Sequence, residues 1–257
     1  TGQECVDRSG LSLASILDFA QSARIEDLRS ILLPQIQYNT AIAEEGLRGA
    51  YGAQVGRTLM TYAHARDLFA RLRAAVAAGS DARMSGCTLP VVINSGSGNQ
   101  GITVSVPVIL YGRSQGVPED MIYRALALAN LTAIYQKTGI GRLSAYCGAI
   151  SAGCGAGAGI AYLYGGGYEE IAHTVVNALA VVSGVVCDGA KASCAAKIAA
   201  AVDAGILGYW MYREGNQFFG GDGIVSKGVE NTIRNVGRLA REGMKETDKE
   251  IIKIMLE

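Results

Sequence analysis

Cys187 and Cys194 are separated by six residues, Asp188-Gly189-Ala190-Lys191-Ala192-Ser193, and Cys147 and Cys154 stand upstream of them. These are four of the six cysteines, and all lie in Gly/Ala-rich apolar sequence. A secreted disulfide framework is usually short and cysteine-dense, so this placement predicts reduced thiols, either buried or holding a metal. A pair spaced by six residues is not a zinc-finger pattern, and no second pair of zinc-like ligands accompanies it. Both histidines, His64 and His173, are remote from the cysteines in sequence. Three thiolates without a fourth leave one iron of a four-iron cluster open, and an open iron is a Lewis acid toward a hydroxyl or thiol. The competing reading of the same spacing is buried, inert cysteines.

A second chemical element is the run Asn94-Ser95-Gly96-Ser97-Gly98-Asn99-Gln100-Gly101. Residues 96 to 101 match the dinucleotide fingerprint G-x-G-x-x-G. That reading needs a strand before the run and an acidic residue ending a second strand. Glu119 and Asp120 lie at a suitable distance but read as a helix start. The run also lacks the lysine of a P-loop. A polar, glycine-rich loop opening a helix is instead a cradle for an anion, because its amides point outward and the helix dipole assists. A substrate carboxylate fits such a cradle; a plain structural turn is the alternative. The third element is Ser80-Asp81-Ala82-Arg83-Met84, where Asp81 and Arg83 read either as a solvated acid–base pair or with Arg83 free to grip a carboxylate through two parallel hydrogen bonds. His64 and His173 read as histidines on helix faces, His173 with its hydrogen bonds satisfied.

The elements that must position these residues read as helices. Amphipathic or apolar periodicity predicts helices over 11–23, 25–33, 35–49, 56–78, 118–137, 143–163, 168–186, 193–208, 226–242 and 245–255, with Pro34 breaking or restarting the second. Segments 91–93 and 102–109 look partly strand-like. The balance favours an all-α fold, one compact domain over 1–257. The 34 glycines against 4 prolines, set among alanines, suggest helices packed backbone to backbone.

Composition narrows the function. Apolar residues make up 49% and charged residues 18%, which disfavours disorder. Lys plus Arg and Asp plus Glu each number 23, so no net field gathers nucleic acid or an anionic membrane. The uncharged stretch 143–164 carries five glycines and two serines and reads as buried helix and loop rather than a spanning segment. The expectation is a cytoplasmic protein with no nucleic-acid or membrane partner.

Taken in order, 80–84, 94–102, Leu143-Ser144-Ala145-Tyr146-Cys147 and Val186-Cys187 through Cys194-Ala195 resemble the C-terminal part of the L-cysteine desulfidase family, relatives of the α region of iron–sulfur-dependent L-serine dehydratase. The resemblance runs from about Leu11 to the C-terminus. It implies a [4Fe–4S] cluster on Cys147, Cys187 and Cys194. Cys154, in Ala152-Gly153-Cys154-Gly155, is the rival first ligand, because the serine dehydratase relatives place a ligand in a similar Gly-Cys-x-Gly setting. Cys87 and Cys5 match no ligand position. Ser95, Ser97 and Asn99, with Arg83, become the substrate-binding candidates. The implied reaction is β-elimination from L-cysteine or L-serine, giving pyruvate and ammonia with hydrogen sulfide or water. No pyridoxal phosphate is required. The family's N-terminal domain, with its proton-abstracting cysteine, has no counterpart here, so the resemblance implies that domain or a separate subunit as a partner. Homo-oligomers are compatible with the Gly/Ala helices.

Overall fold

The computed structural model describes residues 7–62, 67–141 and 144–257, so Cys5, His64 and Leu143 fall outside it. Among the described residues every regular element is helical: α1 (Leu13–Ser22), α2 (Ile25–Arg48), α3 (Val55–Tyr62), α4 (Leu68–Met84), α5 (Gly98–Ser114), α6 (Glu119–Ile140), α7 (Gly148–Leu163), α8 (Tyr168–Val182), α9 (Cys194–Arg213), α10 (Val229–Arg238), a π-helical turn Leu239–Gly243, and α11 (Lys245–Leu256). The fold is all-α, as expected from the sequence.

Three expectations are corrected. Pro34 does not break α2. The buried positions Leu28, Leu32, Ile36 and Asn39 stay in phase on both sides of it, so packing of one continuous stripe outweighs the lost hydrogen bond. The helix expected over 56–78 is two elements, α3 and α4. Asp67 starts the second by accepting the amide of Ala70 at 2.9 Å, an N-cap that satisfies an otherwise unpaired donor. The segment 102–109 is not a strand but the middle of α5. Its Ile102, Val104, Val106, Val108 and Ile109 are all fully buried, and for an element buried all round, periodicity cannot separate helix from strand. The hydroxyls of Thr103 and Ser105 bond back to Asn99 and Gly101 carbonyls at 2.6 and 2.7 Å. Segment 91–93 forms no strand; it pairs with a side chain. Asn39 accepts the Val92 amide at 2.8 Å and donates to the Val92 carbonyl at 3.1 Å.

The centre of the molecule is α7, buried along nearly its whole length. Its glycines serve two faces. A Cβ at Gly153 would stand 2.4 Å from the Ala201 carbonyl oxygen, and one at Gly157 2.6 Å from that of Gly205, both on α9. On another face, a Cβ at Gly155 would stand 2.5 Å from the Ala129 carbonyl oxygen on α6. The helices meet backbone to backbone because these positions lack side chains. Helix α9 is long and apolar enough to cross a membrane by length and composition. It carries Lys197 and Asp203, and its Ile198, Val202, Ile206 and Tyr209 are buried against the neighbouring helices.

Candidate functional site

The segments before α7 and after α8 run side by side. Tyr146 and Val186 form an antiparallel bridge, in which the Cys147 amide donates to the Val185 carbonyl at 3.2 Å and the Cys187 amide to the Ala145 carbonyl at 2.6 Å. This clasp closes the α7–α8 hairpin at its base and sets Cys147 beside Cys187. Helix α9, packed along both α7 and α8, then brings its first residue, Cys194, to the same place. The loop between the last two cysteines folds around the third sulfur. Gly189 turns with φ +94°, and the Lys191 amide donates to the Cys194 Sγ at 3.5 Å.

The glycine-rich segment approaches from the opposite side. Asn94 and Ser97 exchange both backbone hydrogen bonds across a tight turn, 3.1 and 3.0 Å. Its central residues Ser95 and Gly96 have φ of +49° and +85°, the left-handed pair of a type I′ turn. The turn is tied down by Asn94, which donates to the Asn130 Oδ1 at 2.9 Å. Asn130 in turn exchanges hydrogen bonds with Gln35. Ser97 then caps α5 by accepting the Gln100 amide. Two glycines here are dictated by neighbours: a Cβ at Gly98 would stand 2.3 Å from the Arg83 Nε, and one at Gly148 2.4 Å from the Gln100 Nε2.

These pieces enclose a chamber of about 310 Å³. Cys147, Cys187 and Cys194 line it together with Arg83, Ser97 and Asn99. Ser95 does not: it lies on the far side of the turn, its hydroxyl donating to the Asn94 Oδ1, in a neighbouring chamber. The N-termini of α5, α7 and α9 converge on the cysteine chamber through Ser97, Cys147 and Cys194, and helix N-termini favour negative charge. Arg83 is half-buried, and its guanidinium donates to the Asn99 Oδ1 at 3.3 Å. Lys197, one turn into α9, is paired with Asp188. That partner holds the Lys197 ammonium above its ordinary value against burial, and the Lys197 hydrogen bond holds the Asp188 carboxyl below its own. Burial pushes the Cys147 thiol up; the Ala149 amide and the Lys197 charge oppose this, while Cys187 and Cys194 add to it.

Cys154, the rival ligand, is wholly buried inside α7, and burial pushes its thiol up to about 12. It does not reach the chamber. Two chamber residues were not singled out from the sequence. Gln100 is buried with its Oε1 lacking a hydrogen-bond partner among the described residues, an unpaired acceptor that calls for an explanation. The signal for it lay inside the glycine-rich run. Lys197 had a signal in its spacing, three residues after Cys194 on a helix.

Asp81 is not paired with Arg83. It is buried, and its carboxylate accepts the amide of Gly56 at 2.9 Å, at the start of α3. Burial raises the carboxyl above the model-compound value of 3.8, against the amides of Gly56 and Val55, which lower it. Protonation is therefore easier in the folded state than in the unfolded chain. The resulting stabilisation is fully present below the unfolded value and is lost as pH rises through the folded one. The melting temperature of the wild type relative to Asp81→Asn is thus expected to climb as pH falls from neutral toward about 4. A difference that stays flat in thermal melts across that range would show that Asp81 does not titrate there. His173 stacks on Tyr212 with ring centroids 4.6 Å apart, and its Nδ1 is buried without a partner among the described residues, so it is less satisfied than a plain helix histidine.

The chain is 66% identical to a UPF0597 protein of Desulfitobacterium hafniense over 251 residues, 97% of this chain and 58% of that protein. It is 60% identical to one of Lachnoclostridium phytofermentans, over 98% of this chain and 60% of that protein, and 47% identical to one of Treponema denticola, over 97% and 59%. The chain thus spans about three fifths of the length of these relatives. No solved structure matches it. Residues 9–253 match the family described as serine dehydratase alpha chain. That stretch contains every helix that walls the chamber, and by this match the chain belongs to the serine dehydratase alpha chain family.

Proposed function

We propose that this chain is the cluster-bearing and substrate-binding part of a β-eliminating lyase acting on L-cysteine or L-serine. One observation carries the reading. Three cysteines distant in sequence line one chamber with Arg83, Ser97 and Asn99, while Cys154 is sealed in the core.

The donor set favours a [4Fe–4S] cluster on Cys147, Cys187 and Cys194. All three donors are thiols, the chemistry such clusters use. No three His, Cys, Asp or Glu side chains among the described residues are gathered closely enough to hold a metal ion. The thiols are instead arranged around a chamber large enough for a polyatomic group. The converging helix N-termini and Lys197 offset the negative charge of three thiolates. When bound, a cluster with three cysteine ligands supplies a Lewis-acidic iron to the departing hydroxyl or thiol.

The chain's own residues do the rest. Arg83 and the first-turn amides of α5 hold the substrate carboxylate. The unpaired Gln100 Oε1 accepts a hydrogen from the α-ammonium. Ser97 and Asn99 close the chamber wall and keep Arg83 in place. The α-proton is taken by a base in the portion of the relatives that this chain does not span, whether joined to it or in a separate subunit. Loss of that proton and of the β-substituent gives an enamine. Its imine tautomer takes up water, yielding pyruvate and ammonia, with hydrogen sulfide released from cysteine.

Anaerobic reconstitution with iron and sulfide tests the assignment. About four irons per chain are expected in the wild type and in Cys154→Ala, with large losses in Cys147→Ala, Cys187→Ala and Cys194→Ala. Iron lost with Cys154→Ala but kept with Cys147→Ala would reverse the ligand assignment. No uptake by the wild type would remove the lyase reading of this chain.

A further inference from the structure

A second chamber, about 570 Å³, lies on the other side of the Ser95–Gly96 turn and shares Gly96 with the cysteine chamber. Its charged lining among the described residues is Arg8 and Lys137, with no acidic residue among them. Ile93, Ile134 and Ser95 complete most of the wall.

Lys137 is half-buried in the last turn of α6 and pairs with no carboxylate among the described residues. Among the described residues Arg8 makes one long side-chain hydrogen bond, 3.5 Å to the Thr138 Oγ1. A place in the last turn of a helix suits a lysine, but it does not explain a facing arginine across a cavity. The amides of Ser95 and Gly96, in the positive-φ turn, donate to no other described residue. An anion seated between Lys137 and Arg8 would give both side chains a charged hydrogen-bond partner.

We infer that the Arg8–Lys137 chamber is a second binding site, distinct from the cysteine chamber, for a small carboxylate- or phosphate-bearing molecule. Lys137 is its anchor, Arg8 its outer clamp, and the Ser95–Gly96 amides its shared wall. The site rests on the geometry of this chamber.

The test is calorimetric titration of the chain, without added iron and at constant ionic strength, with malonate in one arm and inorganic phosphate in the other. The arms distinguish the two anion chemistries. Binding is expected to weaken about tenfold or more in Lys137→Met and in Arg8→Ala, to persist in Lys137→Arg, and to change little in Arg83→Met, which alters the other chamber. The melting temperature of ligand-free Lys137→Met is expected to match or exceed that of the wild type, because a half-buried charge has been removed. Binding that survives Lys137→Met but is lost in Arg83→Met would overturn the inference. So would the absence of binding by both probes, or a ligand-free Lys137→Met that melts well below the wild type.

Discussion

Gly153→Ala is expected to lower the melting temperature by roughly 3–10 °C, for an overpacking cost of about 1–3 kcal/mol in a chain of this size, and to reduce iron uptake with it. Alanine is ordinarily the better helix former by about 1 kcal/mol, so the sign of this result tests the packing directly. The added methyl would lie 2.4 Å from the Ala201 carbonyl oxygen and 2.5 Å from its carbon. Backbone cannot swing aside as a side chain can, so α7 and α9 must part. The contact is reciprocal, since a Cβ at Gly205 would stand 2.4 Å from the Gly153 carbonyl oxygen. Cys147 precedes α7 and Cys194 begins α9, so parting the helices changes the spacing of the thiols. Gly139, also helical, is the control: the nearest atom to its Cβ would be 3.6 Å away, and Gly139→Ala should leave stability unchanged or raise it. A Gly153→Ala chain that melts at or above the wild type would show that close backbone packing does not set the cysteine geometry.

Arg83→Lys, made in the reconstituted chain, is expected to weaken binding of L-serine by roughly 10- to 100-fold, the value of one or two charge-assisted hydrogen bonds, while iron content stays the same. The guanidinium is planar and offers paired donors that a lysine ammonium cannot reproduce. Its position is prepared by two neighbours: Asn99 accepts from it at 3.3 Å, and Gly98 leaves room for it, since a Cβ there would stand 2.3 Å from the Nε. Titration followed by calorimetry, with iron counted on the same samples, separates binding from assembly. Lost binding with iron retained supports Arg83 as the carboxylate partner. Unchanged affinity would place the substrate elsewhere, and lost iron would make Arg83 a structural support of the chamber.

Much of the fold was legible because most helices carry an apolar stripe or an identifiable start, such as Glu119 and Asp120 in the first turn of α6. Legibility failed where burial is complete. The run 102–109 alternates Ile102, Val104, Val106 and Val108 with Thr103, Ser105 and Pro107, which reads as a strand, whereas in α5 all eight positions are buried on a helix packed among α2, α4, α6 and α7. Pro34 misled for a related reason: local chemistry argued for a break, but the stripe through Leu32 and Ile36 holds α2 together. Within the site, the glycine-rich run was legible as a helix-opening cradle, yet not the division of its side chains. Ser97 and Asn99 face the cysteines, whereas Ser95 faces the other chamber, because the positive-φ turn reverses direction between them.

By itself the amino-acid sequence determined the helical class, the glycine-dependent packing and the residue types available for chemistry, because propensity, periodicity and the absence of a side chain act locally. Tertiary structure alone decided which cysteines meet. Cys147 and Cys154 lie in similar Gly/Ala sequence, but a helix start clasped to the Val185–Cys187 segment faces a cavity, while a position two turns into a central helix faces only packed backbone. The same was true of Asp81, which proximity in sequence offered to Arg83 and the fold gave to the amide of Gly56, since α4 turns the two side chains toward different neighbours.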